Sequence, residues 1–407
     1  TLDEIKPILS RIEQGNNEKI IVIALRIREF SVLKSVLTEQ EENTLISNIT
    51  LRVKNELRRN SAIIAPSSHT FFIAMKIGDE SIESVMERID RAVSSVKFTD
   101  NMNSIDYISG ISLAPEHGED VNDLIHKANI ALEAISRVKN SKYLLFDHNV
   151  FEEMNQYYRI RSQIENAFEN NEFHVVYQPQ NNARTNSIIG LEALVRWSSS
   201  TLGPVSPSIF VPIMEEDNSQ IKKLGKYILK KVILECKDLL SELSSDFRIS
   251  INLSSQEFID IEIIRELVSL IQTEDFPLKN ISFEITETVL SDDLEFTNNI
   301  IEVLHHNDIT VAIDDFGTGY SSLGYLKKLD TDKLKVDRLF IKDYPENDDG
   351  SILRAIAKLA HELNMKIIVE GVETEIQRQF IIELGCQEYQ GYYCSKPIPI
   401  AEIKRLL

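Results

Sequence analysis

Acidic residues recur at the ends of short apolar runs through the second half of this chain. The run ITVAI (309–313) stops at two adjacent acids, Asp314 and Asp315, and the loop FGTGYSS follows. Other runs carry Glu192, Asn252, Glu284 with Glu287, Lys335 with Asp337, Glu370 with Glu373, and Gln390 near their ends. Neighbouring carboxylates repel one another and resist desolvation, so they do not all ionise in one place without cations. Asp, Glu and Asn oxygens, with no Cys and no evident His among them, are hard ligands that suit Mg²⁺ or Mn²⁺ rather than structural zinc. Two divalent ions about 3.5–4 Å apart, sharing a carboxylate, would activate a water and clamp a phosphodiester.

Each residue also has a plainer use. Glu192 could pair with Arg196 at the strand end. Glu373 could be a first-turn acid complementing a helix dipole. Glu287 could cap the next helix, and Lys335 with Asp337 could be a solvated ion pair. Taken singly the plain uses suffice. Acids at the same end of at least four strands point to a shared site. His305, His306 and His361 lie on or at the ends of helices and form no metal box. Of Tyr392 and Tyr393, at least one is expected in the core.

The elements that must position these residues follow from periodicity. HVVYQP, IIGLEALVRW, RISINLS, ISFEITE, ITVAIDDF, KLKVD, KIIVEGV and CQEYQGY read as strands, most of them followed by helical segments such as DDGSILRAIAKLAHEL and EIQRQFIIEL. Eight strands in about 240 residues have the size and rhythm of a (β/α)8 barrel, whose parallel strands bring their C-terminal ends to one face. A doubly wound sheet is the competing fold, but no GxGxxG opens any βα unit. Ahead of this domain, residues 16–150 alternate strands (IIVIALRI, SAIIA, TFFIAM, DYISGISLA, KYLLFD) with helices over 39–57, 81–96 and 121–137, an α+β domain with helices packed on one sheet. Residues 1–15 read as an amphipathic helix with Ile5, Ile8, Leu9 and Ile12 on one side. Residues 151–171 read as a connecting helix striped by Ile160, Ile164 and Phe168, and 172–407 as the barrel.

A chain of 407 residues fits two domains, and 43% hydrophobic and 27% charged residues are globular values. The net charge of −20 disfavours binding to DNA or RNA backbones. Three cysteines, Cys236, Cys386 and Cys394, without a CxxC, argue against a disulfide framework and fit a reducing cytoplasm. No signal peptide is evident, and IIVIAL is too short to span a bilayer. The first residue is Thr1, so this sequence is also read as the cytoplasmic part of a longer, membrane-attached protein with an upstream sensor.

The second domain resembles the EAL-domain cyclic di-GMP phosphodiesterases through eight motifs in order. They are YQP (Tyr177–Pro179), EALVRW (Glu192–Trp197), INLS (Ile251–Ser254), FEITE (Phe283–Glu287), DDFGTGYSS (Asp314–Ser322), KVD (Lys335–Asp337), EGVE (Glu370–Glu373) and QGYY (Gln390–Tyr393). The resemblance implies hydrolysis of cyclic di-GMP to pGpG with two Mg²⁺ or Mn²⁺ ions. It implies metal ligands at Glu192, Asn252, Glu284, Asp314, Asp315 and Glu370, a water held by Lys335, and a general base at Glu370. Glu373 and Gln390 match further active-site residues. Gln178, Leu194 and Arg196 match substrate contacts, and Glu287 the acid that steadies the FGTGYSS loop, which in this family couples metal binding to dimerisation. A homodimer is therefore expected. The alternative is a cyclic di-GMP receptor that does not hydrolyse it and signals through a partner protein.

The first domain resembles the nucleotidyl-cyclase-like GGDEF family, most closely over ISGISLAPEHGEDVNDLIHKANIALEAISRVKNSKYLLFD, but departs at its chemistry. The signature is replaced by Ser67, Ser68, His69, Thr70 and Phe71. Arg26 and Arg28 stand on the first strand where a metal-binding Asp belongs. The RxxD pattern also fails, because Arg58 is followed by Arg59, Asn60 and Ser61. These departures imply no cyclase activity and a regulatory role transmitted through the connecting helix.

Overall fold

The computed structural model describes residues 19–28, 30, 34–35, 37–57, 61–67, 69–78, 80–96, 105–137, 141–287, 294–317 and 323–407. The helix expected over 1–15, Ser68, the Arg58–Asn60 segment and most of the FGTGYSS loop lie outside them. The chain forms two compact units, Thr1–Arg159 and Ile160–Leu407.

The first unit is built on strands β1 (Ile20–Ile27), β2 (Ser61–Ser67), β3 (Thr70–Lys76), β4 (Tyr107–Ala114) and β5 (Tyr143–Leu145), in the order β2-β3-β1-β4-β5. β1 runs antiparallel to both neighbours, and β5 runs parallel to β4. Side chains alternate across a strand. Ile21, Ile23, Leu25 and Ile27 accordingly enter one core with helices α1 (Glu39–Leu57) and α2 (Ile82–Ser94). Ile20, Val22 and Ala24 enter a second core with α3 (Val121–Ile135). The sheet is thus covered on both faces, which is why IIVIAL is apolar without a break. Ser81 and Asp120 begin α2 and α3 by accepting backbone N–H bonds at their N-termini.

Helix α4 spans His148–Glu169, against the 151–171 read from the sequence, and the division between the units falls inside it. Ile160 and Ile164 are buried and Phe168 is half-buried, as their spacing requires.

All eight strands anticipated for the second unit form: β6 (Phe173–Asn182), β7 (Ile188–Ser199), β9 (Arg248–Leu253), β10 (Ile281–Thr286), β11 (Thr310–Phe316), β12 (Lys333–Val336), β13 (Lys366–Val369) and β14 (Glu388–Gln390). A short ninth strand, β8 (Gly203–Val205), extends β7 and was not anticipated. The eight close on themselves, because β6 pairs with both β14 and β7. Consecutive pairs from β7 through β14 are parallel, but β6 is antiparallel to both of its neighbours, which corrects the all-parallel expectation. The reason lies in the connection. Only residues 183–187 join β6 to β7, and a parallel return needs a crossover of about a dozen residues or more. Asn182 instead accepts from the N–H groups of Arg184 and Thr185, both at 3.0 Å, and Asn186 takes a left-handed φ of 60°. The result is a hairpin.

Helices between later strands include α5 (Pro207–Glu215), α6 (Asn218–Leu240), α7 (Ser255–Phe258), α8 (Ile261–Thr273), α9 (Leu294–His305), α10 (Leu323–Leu326), α11 (Ser351–Glu362) and α12 (Glu375–Glu383), with α13 (Ile400–Leu406) last. Among the described residues no helix is long and apolar enough to cross a membrane.

The barrel interior is polar. Lys335 of β12 reaches Glu192 of β7 and Glu284 of β10, neither an adjacent strand, so these side chains cross the lumen. Two residues earlier on the same strand faces, Lys333 meets Glu388 at 2.5 Å with both side chains nearly buried. Removing one partner of a buried pair leaves an uncompensated charge. Lys333→Met is therefore expected to destabilise the second unit by about 3–5 kcal/mol in urea unfolding. The double variant Lys333→Met/Glu388→Leu is expected to recover most of that loss. A single variant as stable as the parent chain would show that the pair does not brace the barrel.

Candidate active site

The centre of the site is one ammonium group. Lys335 is fully buried, and its Nζ lies 2.5 Å from Glu284 Oε2, 2.9 Å from Glu370 Oε1, 3.0 Å from Asp314 Oδ1 and 3.5 Å from Glu192 Oε2. Five strands or strand ends thus converge on one point. This overturns the plain reading of Lys335 and Asp337 as a solvated pair: the Asp337 carboxylate instead accepts from the Leu339 N–H at 2.7 Å.

A shell of amides orders the carboxylates. Asn252 Nδ2 donates to Glu192 Oε1 at 2.8 Å, and Gln390 Nε2 donates to Glu192 Oε2 at 2.6 Å and to Gln178 Oε1 at 2.9 Å. Glu192 therefore does not rely on Arg196, whose Nη1 donates to the Val195 carbonyl at 2.8 Å. Gln180 was missed by the sequence reading. It is buried, and its Nε2 lies 3.3–3.4 Å from Gln390 Oε1, Glu284 Oε1 and Ser250 Oγ. Its signal was the strand period: Gln180 follows Gln178 by two and shares its face.

The adjacent acids of β11 are separated by a bulge. Pairing with β12 shifts register between Ile313 and Phe316, and Asp315 sits at φ 53°. Asp314 is buried while Asp315 is exposed, and the Asp315 N–H donates to Asp314 Oδ1 at 2.9 Å. Residues 288–293, which follow Glu287, lie outside the described residues, but one contact of its carboxylate is defined. Glu287 Oε2 accepts the Gly317 N–H at 2.8 Å and so ties the end of β10 to the start of the loop after β11. Two groups of acids can each place a ligand oxygen within 4.8 Å of the others: Glu192, Glu284 and Asp314, and Asp314, Asp315 and Glu370. Asp314 belongs to both groups, so its carboxylate could serve two cations at once.

One ammonium among four carboxylates leaves an excess of negative charge. Burial pushes Glu284 up to about 8, with Glu192 and Asp314 working against the pull of Lys335. Burial likewise pushes Glu370 up to about 7, with Asp314 and Glu192 adding to it. Asp315, though exposed, is raised by partial desolvation in the cleft and then by Asp314. Glu192 differs: burial opposes its charge, but Lys335, Gln390 and Asn252 together hold its carboxyl below the ordinary range. Excess charge and hard oxygen donors are what a pair of divalent cations would satisfy.

Above the acids opens a cleft of about 340 Å³, within the range of small-ligand sites. Gln178, Leu194 and Glu373 line it, as do Asp337, Arg338 and Tyr392. Glu373 precedes the N-cap Thr374 of α12 rather than serving as a first-turn acid. Tyr392 is 56% exposed and Tyr393 half-buried with its hydroxyl on Glu375 at 2.6 Å, so neither enters the core; Tyr389 fills it instead. The three histidines are peripheral: His305 meets Asp332 at 3.0 Å, His306 the Glu302 carbonyl, and His361 the Gly385 carbonyl.

In the first unit, Arg26 lies opposite Thr70 in the β1–β3 register and pairs with Glu133 at 2.5 Å. Arg28 pairs with Asp106 at 3.5 Å. His69 stacks on Phe30, while Thr70 and Phe71 are buried. Ser67 stands opposite Thr70 at the end of β2.

Comparison with known proteins agrees with this layout. The family description "EAL domain" matches residues 161–397, and "Diguanylate cyclase, GGDEF domain" matches residues 2–142. The bifunctional diguanylate cyclase/cyclic di-GMP phosphodiesterase MucR of Pseudomonas aeruginosa is 26% identical over 97% of this chain and 58% of its own length. The cyclic di-GMP phosphodiesterase PdeR of Escherichia coli is 27% identical over 97% of this chain and 60% of its own. The chain thus spans about three fifths of these relatives. Among solved structures, the MucR phosphodiesterase in complex with c-di-GMP is 33% identical, with a TM-score of 0.57 over 61% of this chain and all of that one. The S helix-GGDEF-EAL portion of Vibrio cholerae LapD, 18% identical with a TM-score of 0.55 over 96% of this chain and 92% of that one, shares the fold.

The raised carboxyls set a pH dependence. Folded Glu370 and Glu284 hold protons to about 7 and about 8, which ordinary carboxyls release near 4.5. The stability this confers is complete below the unfolded value and is lost as pH rises through the folded ones. In EDTA the Tm of the second unit is expected to fall between about pH 5 and pH 8 and to level off above that. Mg²⁺, by replacing the protons, should flatten that decline. Thermal unfolding at each pH checks this, and an EDTA profile that is already flat would contradict it.

Proposed function

Because the chain belongs to the EAL domain family and carries a GGDEF domain ahead of its barrel, we propose that its second unit hydrolyses cyclic di-GMP to pGpG with two Mg²⁺ or Mn²⁺ ions. The observation that carries this reading is the convergence of Glu192, Glu284, Asp314 and Glu370 on Lys335, with Asp314 common to two groups of possible ligands at the floor of the cleft. Relatives named as cyclic di-GMP phosphodiesterases support the choice of substrate.

Glu192, Asn252, Glu284, Asp314, Asp315 and Glu370 would hold the cations. When bound, two such ions acidify water and neutralise phosphate oxygens. Lys335 would help hold the attacking water. Glu370, the general base on the family resemblance, would accept its proton. Gln178, Leu194 and Arg196 contact the dinucleotide, and Glu373 and Gln390 complete the wall of the site. Glu287 steadies the loop after β11. The barrel pairs with a second copy.

The first unit is regulatory and not a cyclase. The Arg26 guanidinium repels a divalent ion where the reaction needs one, and it is paired with Glu133. Incubation of the chain with GTP and Mg²⁺ is expected to yield no cyclic di-GMP by chromatography; its appearance would refute the assignment.

The hydrolytic reading is tested by incubating the chain with cyclic di-GMP and Mg²⁺ or Mn²⁺ beside an EDTA control and following pGpG. Metal-dependent product is expected. Asp314→Asn and Glu192→Ala should each lower turnover at least about a hundredfold with the circular dichroism spectrum unchanged. Turnover near the parent rate in Asp314→Asn would displace the metal assignment, and binding without turnover in the parent chain would make the protein a receptor.

A further inference from the structure

Three loops at the mouth of the cleft are locked into one rim. Gly371, at φ 68°, follows β13, and a Cβ there would stand 2.3 Å from the Cβ of Arg338, which follows β12. Gly391 follows β14, and a Cβ there would stand 2.1 Å from the Val372 carbonyl oxygen and 2.4 Å from its nitrogen. Contacts this close exclude any side chain at either glycine. Backbone bonds reinforce them: Glu370 N–H to the Val336 carbonyl at 3.0 Å, Val372 N–H to the Gln390 carbonyl at 3.2 Å, and Tyr393 N–H to the Val372 carbonyl at 3.0 Å. The turn carrying Arg338 is fixed from its other side by the Asp337 carboxylate on the Leu339 N–H at 2.7 Å.

The rim therefore holds the base of the Arg338 side chain in place, and Arg338 lines the cleft. Its guanidinium forms no ion pair among the described residues, although Asp337, Asp315 and Glu373 line the same cleft. Arg196, which the resemblance matches to a substrate contact, is not among the residues lining the cleft; it is half-buried and its Nη1 donates to the Val195 carbonyl.

A cyclic dinucleotide carries two phosphates. On the hydrolytic reading above, the acids and their cations engage the one being cleaved. The second phosphate then lies toward the mouth of an acidic cleft and needs a cation of its own. A guanidinium is suited to it, being permanently charged and able to grip a phosphate through two N–H groups. We propose that Arg338 binds the phosphate that is not cleaved and thereby favours cyclic dinucleotides over simple phosphodiesters. This rests on the functional reading above.

The test compares the parent chain with Arg338→Ala and Arg338→Lys. Cyclic di-GMP is titrated by calorimetry in EDTA, and KM and kcat are measured with Mg²⁺ for cyclic di-GMP and for bis(p-nitrophenyl) phosphate, a diester with one phosphate. For Arg338→Ala, Kd and KM for cyclic di-GMP are expected to rise about tenfold, with kcat within about twofold. Arg338→Lys should recover part of the loss, and cleavage of the one-phosphate diester should not change. Unchanged Kd and KM, or a loss shared equally by the one-phosphate diester, overturns the proposal. A parent chain that binds cyclic di-GMP without cleaving it overturns only the hydrolytic reading, and the Kd comparison still decides the role of Arg338.

Discussion

Lys335, itself fully buried, sets its single positive charge against four carboxylates at the floor of the cleft. Four acids so close repel one another and favour opening the barrel; one ammonium offsets part of that repulsion. The remainder is met by amides and by protons. Asn252 and Gln390 keep Glu192 charged, whereas Glu284 and Glu370 relax toward the neutral form. The arrangement is held together while retaining an unmet demand for positive charge. A barrel with an apolar lumen would be easier to stabilise, but it would have nothing to offer a cation.

The fold serves this centre by bringing distant positions to one level of the lumen. β7, β9 and β10 contribute Glu192, Asn252 and Glu284 in aligned register: Glu284 stands beside Asn252, and Glu192 beside Ser250. The bulge in β11 turns two successive acids to different environments, so Asp314 joins the buried set while Asp315 faces the cleft. Glu287 and the Gly317 N–H then tie two loops of the same face together. Placement is set by backbone pairing, while the electrical demand is set by side chains that the pairing has no means of choosing.

Most of this was legible in the sequence because each barrel strand is a short apolar run with a polar terminus. ITVAIDDF and KIIVEGV announce both an element and the residue it presents. What could not be read was relational. The hairpin of β6 and β7 reverses the strand that carries Gln178, and its cue, ARTNS, lies in five residues of turn chemistry between two strong strand signals. Lys335 gives no sign in sequence that it is buried; its place depends on acids more than 20 residues away in every direction along the chain. Gln180 has the face of Gln178 but no motif to advertise it. In the first unit the strand run IIVIALRI signalled burial clearly, yet coverage of both sheet faces rests on which alternate residues meet which helix.

The antiparallel first strand also governs when the site can exist. β6 seals the barrel against β14, so the amide of Gln390 meets Gln178 across 212 residues of chain. Contacts of such separation are late and slow to form, because a long loop must close before they give any return. During synthesis, a nascent chain lacking its last strand has most of the acids but no closed ring around them. A product that stops before β14 has no closed ring: acids, amides and seal come together in one event, once that strand has been made.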